Sequence, residues 1–189
     1  SMISKRYAKA NNKYMDALYD PTKPDKYIMY WDANNLYGWA MSAPLPTGNF
    51  AWMSEEEFGA IDWLKQEADQ PTGYFVEVDL GYPDKLHDLH SDYPLATERL
   101  EVDIGMVSDK QRELREVYDM PNVNNCTKLV PNLRNKTKYL CHYRNLRFYL
   151  EHGLRLTKVH RVIKFDQSSW LKSYITMNTE MRAAARNKF

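Results

Sequence analysis

Asp32 is the residue of this chain that is best placed by its sequence neighbours to bind a metal ion. Residues 27–31 are continuously apolar, which predicts a strand buried on both faces and ending at Asp32. A carboxylate there has a fixed backbone and a side chain at the open end of a sheet. Asn34 or Asn35 then caps a short helix that runs to Met41. The exposed amides of that turn could meet a phosphate, while Asp32 holds Mg²⁺ against it.

A second interpretation of the same residues needs no metal. Asp32 could simply cap the helix that follows it. As a bare pattern, an aspartate followed five residues later by Tyr37 is weak. On this pattern alone, capping is the favoured interpretation.

The surrounding residues carry a resemblance to a known family. Asp32–Met41, which reads DANNLYGWAM, resembles motif A of family B DNA polymerases, and it is most similar to the protein-primed branch found in Polinton/Maverick elements, related viruses and linear plasmids. Tyr74–Leu80 resembles the palm strand that follows motif A. Three further stretches resemble the part that follows in those polymerases: Lys128–Tyr139, His142–Leu146 and Gly153–Lys158. Ser169–Leu171 and the closing basic helix resemble the approach to motif B. The resemblance therefore covers about Tyr27–Phe189.

The resemblance implies a role for each matching residue. Asp32 would bind both catalytic Mg²⁺ ions, and the carbonyl of Ala33 would complete one coordination shell. The amides of Asn35 and Leu36 would lie near the incoming triphosphate. Tyr37 would pack under the deoxyribose as a steric gate against a 2′-hydroxyl, although its apolar neighbours also allow plain core packing. Gly38 departs from the family, because many relatives have proline there, and glycine leaves this backbone freer.

The resemblance also implies which parts of the enzyme are missing here. Polymerisation is an in-line displacement stabilised by two metals, and family members supply a second aspartate from motif C and nucleotide-gripping residues from motif B. This sequence contains neither motif before Phe189, nor the proofreading motifs. We therefore expect a fragment of a DNA-directed DNA polymerase that is inactive on its own. The implied partners are Mg²⁺ in the complete enzyme, DNA template and primer, deoxynucleoside triphosphates and a terminal priming protein, and the implied location is intracellular, or nuclear in a eukaryotic host.

Two other function classes remain open from the residues. One is a non-catalytic DNA- or protein-binding module derived from such a polymerase, although intact Asp32 and Tyr37 favour the enzyme. The other is an unrelated Mg²⁺-dependent hydrolase, which would need Asp79 or Asp103 to join Asp32.

The charges of the chain are segregated along its length. Residues 54–103 hold fourteen acidic and three basic residues, whereas residues 128–164 hold ten basic residues and one acidic residue. A basic half can present a face to a polyanion, or it can simply neutralise the acidic half. The residues predicted to contact DNA phosphates are Arg134, Lys136, Lys138, Arg144 and Arg147. Tyr139, Tyr143 and Tyr149 could stack on unpaired bases, although core packing is the stronger expectation for most of them.

The elements that must position these residues are of mixed type, without a βαβ rhythm. The predicted class is α+β: a partial polymerase palm, with an antiparallel sheet and flanking helices, and an inserted subdomain like terminal-protein region 1. The predicted parts are 3–98 (an N-terminal helix and palm with motif A), 99–137 (the insertion) and 138–189 (return to the palm and approach to the fingers). The predicted helices are 3–19, 36–41, 55–68, 108–120, 140–150 and 168–188, and the predicted strands are 27–31, 73–80 and 154–166, the last with a bulge near 157–158.

The composition is that of an ordinary globular protein, with 43% hydrophobic and 27% charged residues. No apolar run is long enough to predict a membrane span. Cys126 and Cys141 fit two free thiols better than a disulfide or a zinc site, because no second pair has zinc-finger spacing.

Overall fold

The computed structural model describes residues 9–120 and 126–185. Its helices are α1 (Leu36–Ser42), α2 (Glu55–Gly59), α3 (Asp109–Val117), α4 (Tyr143–Glu151) and α5 (Lys172–Ala184). Its strands are β1 (Leu45–Trp52), β2 (Thr72–Gly81), β3 (Glu98–Val102), β4 (Cys126–Val130), β5 (Lys136–His142) and β6 (Arg155–Ser168). Short 3₁₀ helices span Lys13–Leu18, Trp63–Lys65, Asp84–Leu86 and Ile104–Met106. The fold is α+β, as the sequence predicts.

The described chain divides into two compact units. One holds residues 9–45 and 168–185, and the other holds residues 46–167 apart from the gap at 121–125. The predicted boundaries at 98 and 137 both lie within the second unit. Strand β5 crosses the boundary at 137, because its residues pair with β2 in the same sheet.

The second unit is built on a four-stranded sheet in the order β1-β6-β2-β5. Strand β2 lies between β5 and β6 and is antiparallel to both. Its Val76, Val78 and Leu80 are buried, which confirms the alternation predicted for 73–80. The predicted bulge in β6 is confirmed too, since the register with β2 skips Thr157 and His160.

Helices and loops cover one face of this sheet. Tyr143 and Leu146 of α4 are fully buried there against the alternating residues of β2 and against Val162 of β6. Gly153 ends this region of helix as predicted, with a φ of 93°. The amides of Gly153 and Leu154 donate to carbonyls of the last helical turn, at 3.0 Å each, which is the Schellman arrangement.

A two-stranded antiparallel sheet, β3 with β4, lies in the same unit. Helix α3 follows β3 and has no buried residue, in agreement with the polar helix predicted over 108–120. Ser108 caps it by accepting from the amide of Gln111 at 3.2 Å.

Two predicted helices of this unit differ from the structure. The helix predicted over 55–68 begins at the expected capping box of Ser54 and Glu57, but it ends at Gly59. Asp62 then accepts from the amide of Leu64 and starts a separate 3₁₀ turn that buries Trp63. The helix predicted over 140–150 begins at Tyr143, because residues before it form β5, which the sequence does not predict.

The first unit has little burial of its own. The strand predicted over 27–31 is wrong: these residues have no regular secondary structure, and all five side chains are exposed. A strand needs a partner for its amides and carbonyls, and no described residue pairs with this run. Helices α1 and α5 contact each other. The helix predicted over 3–19 is a 3₁₀ segment at Lys13–Leu18 with a break at Asp16, and its first residues lie outside the described part.

Within the described residues, no helix combines the length and apolarity that crossing a bilayer requires.

Candidate functional site

Asp32 lies in an exposed, irregular segment that leads directly into α1. Its carboxylate forms no hydrogen bond or ion pair with the described residues. Asp32 therefore does not cap the helix, because Asn35 does: its side chain accepts from the amide of Gly38 at 3.2 Å. The interpretation of Asp32 as a helix cap has no support in this geometry.

Asn35 and Gly38 form a tight pair at the start of α1. Asn35 adopts a left-handed backbone with a φ of 55°, a conformation that asparagine tolerates better than most residues. A Cβ on Gly38 would come within 2.3–2.6 Å of the Asn35 amide group. Proline at 38, as in many members of the resembling family, would also lack the N–H that Asn35 accepts. Gly38 thus has a definite structural use in this chain.

The other predicted nucleotide-binding residues lie in the same turn. The first hydrogen bond of α1 runs from the amide of Trp39 to the carbonyl of Asn35 at 3.0 Å, so the amides of Asn35 and Leu36 precede the helical ladder. Tyr37 is 86% exposed and does not pack into a core. Ala33, whose carbonyl is the predicted second metal ligand, is likewise exposed.

No cluster of three or more metal-ligating side chains occurs in the described part of the chain. Asp79 and Asp103, the candidates for joining Asp32, already have structural partners. Asp103 accepts from the amide of Gly105 at 2.6 Å and caps a 3₁₀ turn. The carboxylate of Asp79 is held within the sheet by Lys138 and His160.

Asp79 of β2 lies where the regular pairing of β2 with both β5 and β6 is interrupted. Its Oδ1 accepts from the amide of Lys138 at 2.7 Å and lies 2.8 Å from Nε2 of His160. Lys138 has a φ of 51°, and His160 is one of the bulged residues of β6. The hydrogen bonds from Lys138 and His160 hold the pKa of Asp79 below its ordinary value. Through these contacts the carboxylate of Asp79, on β2, links β5 to β6.

The five residues predicted to contact DNA differ in their availability. The side chain of Lys136 is 0% exposed and pairs with Glu98, so it cannot reach a phosphate. Arg147 donates to Glu151 at 2.7 Å and to the carbonyl of Gln66 at 2.8 Å. Arg134 and Lys138 are exposed and Arg144 is half-buried. These three form no salt bridge with the described residues and remain available.

Lys136 is held by a small polar network instead. Its ammonium lies 2.8 Å from Oε2 of Glu98 and also donates to the side chain and carbonyl of Asn132. Asn132 in turn donates to Glu98 at 2.9 Å. Burial works to raise the pKa of Glu98, but the hydrogen bonds from Lys136 and Asn132 outweigh it and keep that pKa low.

The face of the four-stranded sheet opposite α4 carries two rows of side chains that cross the strands. One row is formed by rings, with centroid separations of 5.6, 5.0 and 5.4 Å, and consists of Phe50, Phe165, Phe75 and His142. In the other row, the guanidinium of Arg161 lies 5.5 Å from the ring of Trp52 and donates to both oxygens of Glu77 at 2.9 and 3.0 Å. Leu140 pairs with Glu77 and ends this row.

Sequence reasoning did not identify this face as a candidate site. The tyrosines considered for stacking pack elsewhere: Tyr143 is buried, and Tyr139 and Tyr149 pack against the core. The exposed aromatic residues on this face of the sheet are instead Phe50, Trp52 and Phe75. The available signal was the alternation within Phe50–Trp52 and Gly73–Glu77, which places these rings on one side of their strands.

Comparison with known proteins adds no assignment: no protein-family model, no curated protein and no solved structure matches the chain.

Proposed function

We propose that this chain is the motif A portion of a family B DNA polymerase of the protein-primed branch, which adds deoxynucleotides to a growing strand by two-metal phosphoryl transfer. The observation that carries the proposal is the conformation of Asp32–Met41. Asp32 and Tyr37 are both exposed, on either side of a turn whose capping is done by Asn35. A carboxylate and an aromatic ring that have no partner among the described residues are what metal binding and sugar selection would require at this motif.

In this proposal Asp32 and the carbonyl of Ala33 would hold Mg²⁺, and the ion would supply charge stabilisation for the attacking and leaving oxygens. The amides of Asn35 and Leu36 would meet the triphosphate, because they precede the first hydrogen bond of α1. Tyr37 would lie against the sugar. The described residues supply one carboxylate at this turn, which is too few for two metals. In this proposal the remaining ligand would come from motif C of a longer polypeptide.

The exposed apolar surface of the first unit supports the same proposal. The run Tyr27–Trp31 leaves five apolar side chains exposed next to Asp32. Large contiguous apolar patches mark surfaces that another element covers. A neighbouring palm strand carrying the second aspartate would both cover this run and complete the metal site.

In this proposal residues 99–137 remain the insertion, and they lie within the second unit, residues 46–167. This unit lies between the two segments of the first unit in sequence and has its own core. Arg134, Lys138 and Arg144 are its available predicted phosphate contacts, and template DNA or a priming protein are the partners that the resemblance implies.

The first test is to determine how far the reading frame that encodes this chain extends. A reading frame that continues into a Lys-x-x-x-Asn-Ser-x-Tyr-Gly motif and an Asp-x-Asp turn supports the proposal, and its full-length product should extend a primer with Mg²⁺. Asp32→Asn should reduce that extension by a factor of about 10³ or more, since it removes a metal ligand. Asp103→Asn, which alters a capping aspartate, is the matched control. A full-length product whose extension is unaffected by Asp32→Asn would overturn the proposal.

A further inference from the structure

We propose that the uncovered face of the four-stranded sheet binds single-stranded DNA, with bases stacking on its exposed rings. The open face is defined by Phe50, Trp52, Phe75, Leu140, Lys158 and Arg161. The inference deepens the proposed function, because a polymerase acts on a template that carries an unpaired strand.

The rings of the open face are not needed to fill a core. Trp52 is 62% exposed and Leu140 is 70% exposed, although both lie in regular strands of the central sheet. Phe165 is fully buried between Phe50 and Phe75, and both of these rings pack against it. Rigid aromatic side chains on neighbouring strands of an open sheet are the arrangement on which unpaired bases stack.

The charges of the open face suit a phosphate backbone beside those rings. Both acidic side chains of this face have partners: Glu77 is held by Arg161, and Asp79 by His160 and the amide of Lys138. Lys158 pairs in register with Asp79 but forms no salt bridge within the described residues. Lys138 likewise forms none, so both ammonium groups remain free to meet phosphates at one end of the face.

Arg161 contacts both a ring and an acidic side chain of the open face. Its guanidinium lies over the ring of Trp52 while its donors are directed to Glu77. This clamp fixes the ring plane of Trp52 and reduces the entropy lost when a base stacks on it. The positive charge over one face of the ring leaves the opposite face for the base.

Single-stranded DNA fits this face better than duplex DNA. In a duplex the bases stack on one another, so the rings of the open face would gain no stacking contact, and this face would offer a duplex only the ammonium groups of Lys138 and Lys158. An unpaired strand can use the rings and the lysines together.

The test uses the whole chain and fluorescence anisotropy with a labelled oligothymidylate of about 20 nucleotides, beside a duplex of equal length. Trp52→Ala should weaken binding to the single strand by about fivefold to 100-fold, because stacking on one ring contributes that much. Trp52→Phe should retain most of the affinity, since a ring remains. The matched control is Trp170→Ala, which removes a tryptophan of the first unit that is 58% exposed.

Each remaining outcome overturns the inference. These outcomes are an absence of binding to the single strand, an equal loss of single-strand and duplex binding in Trp52→Ala, and equal effects of Trp52→Ala and Trp170→Ala. Circular dichroism of the variants checks that they fold. Primer extension by the full-length product and its dependence on Asp32 are measured separately, so failure of the open face leaves the proposed polymerase function intact, and the reverse also holds.

Discussion

The ammonium of Lys136 lies 2.8 Å from the carboxylate of Glu98 and joins the four-stranded sheet to the two-stranded one. Lys136 is the first residue of β5 and Glu98 is the first residue of β3. The lysine side chain has no exposed area, whereas the glutamate retains some. The pair therefore holds together two parts of the second unit that share no backbone ladder.

Glu98→Gln should destabilise the protein by about 3 kcal/mol, because it leaves a buried ammonium without its counter-charge. Lys136→Met in the same chain should recover most of that loss, since it removes the buried charge. Urea unfolding measures both free energies of unfolding. Glu113→Gln is the control, because it breaks an exposed pair with Lys110 and should cost about 0.5 kcal/mol or less. Equal effects of Glu98→Gln and Glu113→Gln would contradict this role.

Arg134, Lys138 and Arg144 should each contribute to duplex DNA binding under the proposed function. Replacing each by alanine should lower the log–log slope of affinity against salt by about 1. Binding isotherms at several salt concentrations give that slope. Lys65→Ala, which removes an exposed lysine in the acidic half, should leave the slope unchanged. An unchanged slope in all three variants would show that Arg134, Lys138 and Arg144 do not contact DNA phosphates.

His142 should make the protein sensitive to mild acid. Burial lowers its pKa from 6.5 to about 4, with a smaller effect of Arg144. Below pH 6.5 the unfolded chain therefore binds a proton that the folded chain does not, and the free energy of unfolding falls until about pH 4. One pKa unit corresponds to about 1.4 kcal/mol, so the loss is at most about 3 kcal/mol and is smaller where water reaches the ring.

The control for this pH dependence is His142→Asn. His142 caps α4 by accepting from the amide of Arg144, and asparagine is a good cap that does not titrate. The variant should lose less stability between pH 6.5 and 4.5 than the parent does. Thermal denaturation at several pH values measures this loss. An equal loss in the variant and the parent would refute the role of His142 in the pH dependence.

Cys141 should be unreactive in the folded protein. Burial raises the pKa of its thiol to about 12, so almost no thiolate forms at neutral pH. In a Cys126→Ser background, the rate of iodoacetamide labelling should therefore follow unfolding and rise steeply with urea. Rapid labelling of the native variant would contradict the burial.

Tyr37 should select the sugar in the full-length product. Tyr37→Val should raise incorporation of ribonucleotides relative to deoxyribonucleotides by about tenfold or more, if removal of the ring admits a 2′-hydroxyl without a clash worth about 1.4 kcal/mol or more. Competition assays with both nucleotide types measure the ratio. Tyr174→Val, which alters an exposed tyrosine of α5, is the control.

The local elements could be predicted from the sequence because their determinants are neighbours. The Asn35 cap, the Ser54 capping box, the alternation of β2 and the end of α4 at Gly153 all depend on residues a few positions apart. Strand β5 could not be predicted in this way. Its buried Lys136 reads as a surface residue until Glu98, 38 positions away, is placed beside it.

The candidate site was predictable to the same extent. The turn after Asp32 has the predicted capped helix, since Asn35 and Gly38 determine it locally. The apolar composition of Tyr27–Trp31 predicts burial but cannot specify which strand provides the cover. The metal site depends on carboxylates distant in sequence, and it stays a prediction.

The exposed run Tyr27–Trp31 also affects how Asp32 should be studied. Uncharged β-prone segments promote intermolecular association, and charged residues at their ends act as gatekeepers against it. Lys26 and Asp32 occupy those two positions. An alanine at 32 would therefore remove a gatekeeper together with the carboxylate, and lost activity could then reflect aggregation. Asparagine preserves polarity at that boundary, so the isosteric variant separates chemistry from solubility.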